Sequence, residues 1–317
     1  MDKQSVVKDK TRFESTDTNL ETTPQTELIR CCEERIPAIL YGPPGTGKTK
    51  AVMDVIQYFR DQNKLGKSEV VQFHRKFTYE DFIEGYAPSE NGFVKKNGIF
   101  KEFCLSPTGE KTNFFVIDEI NRAEIATTFG EVLYALEDRE SRSVKTAHFG
   151  DQFSVPSNLM LIGTMNTADR SVAHIDFAVR RRFSFIPVFP NIKNLREWLL
   201  GLQLNVTRFD MSAYCAFVQR TNSRISRSAQ LGPHMQLGEA MFVPHGSSKR
   251  ILSDEDFRRN FRDMILPQIE SYLGFGARQE LAQLFGVPIV ERFLLSRDVA
   301  MSEFVGMIQE ATNDQSY

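Results

Sequence analysis

Gly42, Pro43, Pro44, Gly45, Thr46, Gly47, Lys48 and Thr49 fit G-x-x-x-x-G-K-[ST], a phosphate-binding loop. Glycines let the backbone curl until successive N–H groups face one anion. A helix starting at the loop's end adds its positive pole. In such a loop Lys48 reaches the β- and γ-phosphates, and the Thr49 hydroxyl is a ligand for Mg²⁺. The cofactor-binding run is therefore predicted from Gly42 through Lys50. Its flanks decide whether it means anything. Ile36, Ala38, Ile39, Leu40 and Tyr41 precede it as a buried strand would, and Ala51, Val52, Val55, Ile56 and Phe59 follow at helical spacing. A chance glycine turn would lack this strand-loop-helix setting.

Asn113-Phe114-Phe115-Val116-Ile117 runs into Asp118-Glu119, two carboxylates at the end of an apolar strand. Ligands gather at that edge of an open parallel sheet. Asp118 is predicted to hold Mg²⁺, directly or through water, and Glu119 to orient and deprotonate the attacking water. A second apolar strand, Leu159 to Met165, ends on Asn166, whose amide suits the same water and the γ-phosphate. Arg180, Arg181 and Arg182 follow as a run of three. Guanidinium matches phosphate charge. The run reads as an arginine finger offered to a neighbouring subunit, or as a solvated basic face or a phosphate-backbone contact.

The elements that must hold these residues point to an α/β protein. At 317 residues the chain has room for one large and one smaller domain. Positions 1–24 are polar and read as a flexible leader; 25–190 read as the nucleotide-binding core; 191–317 read as a helical lid. Helices are expected over 24–34, 125–137, 172–177, 213–219, 254–264, 267–273 and 278–284, with a frayed end from Glu310. Lys64 to Lys67 reads as a turn, Val70 to Phe73 as a core strand, and Asn91-Gly92 and Asn97-Gly98 as hairpin turns of an exposed insertion. That insertion either touches a polymer in a pore or merely packs. Residues 139–155 read as a second hairpin. Arg220, Arg224 and Arg227 share one helix face and are expected mostly in solvent, one of them in reach of the nucleotide. Net charge is −2, which argues against tight autonomous binding of DNA. No apolar run reaches the roughly 18 residues that span a bilayer, and no signal peptide opens the chain. The four cysteines show no metal spacing, so reduced buried thiols in the cytoplasm are expected.

The order of these motifs resembles the AAA+ superfamily, and four segments are similar to the McrB family. They are Val71 to His74 with Tyr79 to Tyr86, Ile117 to Ala123, Met165-Asn166-Thr167-Ala168-Asp169-Arg170-Ser171 leading into Arg180 to Phe185, and Gln236 to Phe242. The likeness covers about residues 25 to 295. It implies a three-layer αβα AAA+ P-loop NTPase domain with hairpin insertions, followed by a small helical lid. It implies a GTP-hydrolysing motor of a methylation-dependent restriction system, a homo-oligomer built as a hexameric ring. The partner implied is a McrC-like nuclease subunit, with DNA engaged through the complex. Asn166 and Asp169 then belong to the water-positioning loop, and Arg181 and Arg182 are candidate fingers. Two departures stand out. The leader is too short for a DNA-reading domain, so a motor-only form is expected. Glu239, Ala240 and Met241 stand where the family pattern has His, Ser and Tyr, which leaves ATP as open as GTP. The rival readings are a MoxR-like chaperone ATPase and a nucleotide-gated assembly protein.

Overall fold

The computed structural model describes residues 22–90, 92–106, 109–137, 143–169, 175–246, 251–274 and 277–313. Most of the leader, Asn91, Arg170-Ser171 and the first half of the 172–177 helix lie outside the described residues.

Helix α1 (Pro24–Glu33) and strand β1 (Ala38–Gly42) lead to α2 (Lys48–Asp61) and β2 (Leu65–Gln72). An insertion follows: α3 (Tyr79–Phe82), β3 (Glu84–Ser89), β4 (Gly92–Asn97) and α4 (Ile99–Leu105). Strand β5 (Thr112–Asp118) precedes α5 (Ile125–Phe129) and α6 (Val132–Ala135). A small antiparallel pair, β6 (Val144–Lys145) and β7 (Gln152–Phe153), leads to β8 (Leu159–Asn166), α7 (Phe177–Arg180) and β9 (Ser184–Pro187).

The sheet order is β2-β5-β8-β1-β9, every pair parallel. Strand alternation makes the layers. Phe114 and Val116 of β5 pack with Leu28, Val52 and Val55 of α1 and α2 on one face. Phe115 and Ile117 pack with Phe82, Phe100 and Phe129 on the other. The loops after β1, β5 and β8 therefore meet at one sheet edge.

Several expectations change. The turn at Lys64 to Lys67 is the start of β2, and β2 is an edge strand with Val70 45% exposed. An edge needs only one apolar face, so its first half alternates and looks polar in sequence. Asn97-Gly98 ends β4 and opens α4 instead of turning a hairpin. The 125–137 helix breaks in two at Gly130, where φ is +50°.

From α8 (Ile192–Leu200) onward the chain is mostly helical. A short parallel bridge joins β10 (Leu204–Asn205) to β11 (Leu252–Ser253). The helices are α9 (Met211–Arg227), α10 (Glu239–Phe242), α11 (Asp254–Asn260), α12 (Leu266–Leu273), α13 (Arg278–Phe285), α14 (Val287–Ser296) and α15 (Met301–Asn313). A π-helical turn, Phe261–Ile265, splices α11 to α12. The expected helix near 213–219 extends to Arg227, and the expected frayed end is helical through Asn313 with Ala311 buried. Of the α9 arginines, Arg227 is exposed as expected, and the other two are corrected. Arg220 is buried and donates to Met307 O at 2.6 Å; Arg224 donates to Leu284 O at 2.8 Å. They satisfy carbonyls of neighbouring helices. The cysteines are free and buried. Among the described residues no helix is long and apolar enough to cross a membrane.

Candidate functional site

The loop between β1 and α2 turns on Gly45 and Gly47, at φ +78° and +81°, where a side chain would be strained. Gly47 caps α2, so the helix begins at Lys48 with its N-terminus facing the loop. Lys48 is 7% exposed and folds back over the loop, donating to Gly42 O at 3.0 Å and Pro43 O at 2.7 Å. Burial pulls its ammonium down to about 8, against the carboxylates of Glu119 and Asp118. Thr46 Oγ1 donates to Pro43 O at 3.0 Å. Lys50 lies on the exposed side of α2 and pairs with Asp54 at 2.8 Å.

The Thr49 hydroxyl donates to Asp118 Oδ1 at 3.0 Å. A second hydroxyl, that of Thr164, donates to the same oxygen at 2.6 Å. A hydroxyl and a carboxylate side by side are hard oxygen donors of the kind Mg²⁺ takes, so this pair fits the ion. Thr164 lies two residues before Asn166 on β8, hence on the same face of that strand. That period-two relation was the signal for it in the sequence.

Glu119 leaves the end of β5 with φ +55°, the left-handed region that non-glycine residues seldom occupy. Its N–H donates to Thr164 Oγ1 at 3.2 Å. The Asn166 amide donates to Glu119 Oε1, and Glu119 Oε2 is buried without a hydrogen bond. Asn121 donates to Asn166 O at 3.3 Å, so the turn after β5 also holds the end of β8. Asp118, Glu119, Asn166 and Thr49, more than 100 residues apart at the extremes, converge on one edge.

The segment around α10 rests against the same loop. Gly238 N donates to Pro44 O at 3.0 Å and Ala240 N to Gly45 O at 3.1 Å. A Cβ on Gly238 would lie 2.0 Å from Gly45 C, so only glycine allows this approach. Thr167, beside Asn166, donates its N–H to Gly42 O at 3.1 Å and its hydroxyl to His234 O at 3.2 Å. Next to this junction lies a cleft of about 390 Å³, bounded by Phe189, Asn191, Leu195, Asn222, Leu237 and Glu239. Glu239 is 7% exposed and accepts the Asn191 N–H; burial pushes its carboxyl up.

The chain is similar to several known proteins. The AAA domain of the dynein-related subfamily matches residues 37–183. The type IV methyl-directed restriction enzyme EcoKMcrB subunit of Escherichia coli strain K12 is 39% identical over 233 residues, 70% of this chain and 50% of that protein. This is a McrB-like AAA+ chain. It is also 27% identical over 228 residues to the type II restriction enzyme BsuMI component YdiS of Bacillus subtilis strain 168, across 57% of this chain and 65% of that one. The McrB-like chain thus spans about half the length of the first relative and under two thirds of the second. A crystal structure assigned as an ATPase from Cytophaga hutchinsonii aligns over 91% of this chain and 78% of its own, at 14% identity and a TM-score of 0.37. That overlap is loose, and the fold stands on its own sheet order.

The arginine run of the McrB-like chain divides. Arg182 has a side chain only 7% exposed, lies 2.6 Å from Glu137 Oε1 and donates to Ala178 O. It is turned inward. Arg181 is 67% exposed and lies 3.1 Å from the same Glu137 oxygen. Arg180 donates to Ile175 O at 3.3 Å and sits 5.7 Å over the Phe185 ring. Asp169 follows Asn166 by three residues and lies 3.6 Å from Arg122 Nη2. Sequence reasoning passed over Thr164, Arg122 and Glu137. The last two are single charges, whose partners only the fold supplies.

Proposed function

We propose that this chain is the nucleoside-triphosphate hydrolysing subunit of a McrBC-like restriction and phage-defence system, working in the cytoplasm as a homo-oligomeric ring, hexameric as the resemblance implies. GTP or ATP is the substrate, its phosphates held by Gly42 to Lys50 and its base toward the cleft beside Glu239. Thr49 and Asp118 would hold Mg²⁺, which when bound offsets phosphate charge. Lys48 swings from its own loop carbonyls to the β- and γ-phosphates. Glu119, oriented by Asn166, accepts a proton from the attacking water. A McrC-like nuclease subunit stimulates turnover, and DNA is engaged through that complex.

The observation that supports this most is the convergence of Thr49, Asp118, Glu119 and Asn166 at the mouth of the glycine loop, in a chain 39% identical to a restriction subunit. Of the three arginines, Arg181 is the one free enough of packing to cross to a neighbour's nucleotide. Such a finger is worth roughly 10³–10⁵ in rate. Hydrolysis of GTP and of ATP, each with and without the co-encoded nuclease subunit, tests the reading. Turnover of one nucleotide, raised by the partner, is expected; none in any combination refutes it. Arg181→Ala is expected to bind nucleotide and to lose turnover in rings mixed with wild-type protein. Full turnover there removes Arg181 as the finger.

A further inference from the structure

Arg122 closes the 3₁₀ turn Ile120–Arg122, its N–H donating to Glu119 O at 2.9 Å. Its guanidinium spans two carboxylates on different elements. Nε lies 3.5 Å from Glu119 Oε2, and Nη2 lies 3.6 Å from Asp169 Oδ2. Both distances are within ion-pair range and beyond a good hydrogen bond. The Glu119 side chain is 13% exposed. One of its oxygens is held by the Asn166 amide; the other is buried with no hydrogen bond.

That combination is informative. A carboxylate gripped on one oxygen and facing a cation on the other has its plane set, yet keeps an acceptor lone pair. A group that must receive a proton from water needs both a fixed direction and an unused lone pair. Asp169, at the far end of the guanidinium, belongs to the loop after β8. Thr167 in that loop touches Gly42 O on one side and His234 O on the other. A shift of the loop against the glycine turn or the lid therefore moves Asp169, and through Arg122 it moves Glu119. A bystander ion pair at this level of exposure would be worth little, and its removal would leave turnover alone.

Resting on the hydrolase reading above, we infer that Arg122 is a positioning residue that sets the plane of the Glu119 carboxylate and couples it to the loop after β8 through Asp169. The test uses the full chain in its assembled form with Arg122→Ala, Arg122→Lys, Asp169→Asn and the Arg122→Ala/Asp169→Asn double variant. Turnover number, KM, affinity for a fluorescent nucleotide and melting temperature are measured for each. Arg122→Ala and Asp169→Asn should each lower kcat about 10- to 100-fold, the scale of a misplaced reacting group. Nucleotide affinity should stay within about twofold and melting should be unchanged, which a merely structural role would not give. The double variant should be no slower than Arg122→Ala, because both substitutions cut one link. A lysine offers a single point charge that cannot span both carboxylates, so Arg122→Lys should fall part-way. If the alanine protein does not fold, the lysine variant carries the test.

Wild-type kcat in Arg122→Ala or Arg122→Lys overturns the inference. So do losses that multiply in the double variant, or a fall in affinity that accounts for the fall in turnover. Glu119→Gln, measured alongside, separates the two claims. Full turnover in Glu119→Gln removes the hydrolase reading itself. A dead Glu119→Gln beside a fully active Arg122→Ala removes only the positioning role.

Discussion

The Glu84–Lys101–Asp151 cluster and the Glu119–Arg122–Asp169 cluster each place one basic side chain between two carboxylates. In the first, Lys101 bonds Glu84 and lies 3.0 Å from Asp151, and both Lys101 and Glu84 are buried. The other Glu84 oxygen accepts the N–H groups of His148 and Phe149, at 3.1 and 2.7 Å. This cluster fastens the β3–β4 hairpin to the loop between β6 and β7 against the phenylalanine core. In the second, the contacts stretch to 3.5 and 3.6 Å and one buried oxygen is left without a hydrogen bond. A cation between a glutamate and an aspartate makes a fastener where both Glu84 oxygens are bonded, and a candidate site where one Glu119 oxygen is left unbonded. A satisfied buried network resists change; an unsatisfied one waits for a ligand.

The comparison is broken most sharply at Glu119 and at Lys101. Glu119→Gln keeps an acceptor but loses the base, and turnover should fall about 10²–10⁴-fold with nucleotide still bound. Steady-state hydrolysis and a fluorescent-nucleotide titration read this, and unchanged turnover would strike Glu119 from the mechanism. Lys101→Ala should cost about 3–5 kcal/mol of stability, because it leaves Glu84 buried and unpaired. Urea unfolding measures it; a loss below 1 kcal/mol would make the fastener an ordinary surface pair. If the variant still folds, its nucleotide affinity should match the wild type, since the fastener lies off the glycine loop.

A smaller effect is expected with pH. Burial works against the Glu84 charge, but its bonds to Lys101 and Phe149 hold its carboxyl below the ordinary range. Its contribution is therefore present above the unfolded value of about 4.3 and is lost as pH falls through the folded one. Lys101 is held above its ordinary value, burial again opposing. Its contribution is complete below about 10.4 and fades as pH rises through the folded pKa. The stability gap between wild type and Lys101→Ala should thus be widest between about pH 5 and 10 and should narrow in acid. A gap that stays constant down to pH 3 would contradict the pairing. The smallest change concerns Glu239, whose carboxyl burial pushes up. A raised folded pKa means its stability contribution falls as pH rises past the unfolded value. Glu239→Gln keeps an acceptor for the Asn191 N–H and removes the penalised charge. It should leave stability unchanged or raise it by about 1 kcal/mol at neutral pH, read by thermal melting; a clear drop would show that the charge itself is needed beside the cleft.

Much of this was legible in the chain. The glycine loop announced itself because its chemistry demands fixed spacing within eight residues, and the strands ending on Asp118 and Asn166 because a fully buried strand must be apolar throughout. Strand β2 was misread at its start because an edge strand needs only half that apolarity. The 125–137 helix hid its break because a single Gly130 does not say whether the tertiary structure will use its left-handed freedom. Arg220 and Arg224 looked solvated because a sequence cannot show that Met307 O and Leu284 O are waiting for them.

By itself, then, the sequence determined that a glycine-rich loop of the phosphate-binding pattern, a two-carboxylate strand and an asparagine-tipped strand exist, since each is a local pattern whose spacing is its own evidence. Only the tertiary structure decided that Thr164 shares a carboxylate with Thr49, that Gly238 rests on the glycine loop, that Arg182 turns inward, and that Arg122 spans Glu119 and Asp169. Those facts are distances between residues far apart in the chain, and distance is a property of packing that no local pattern encodes.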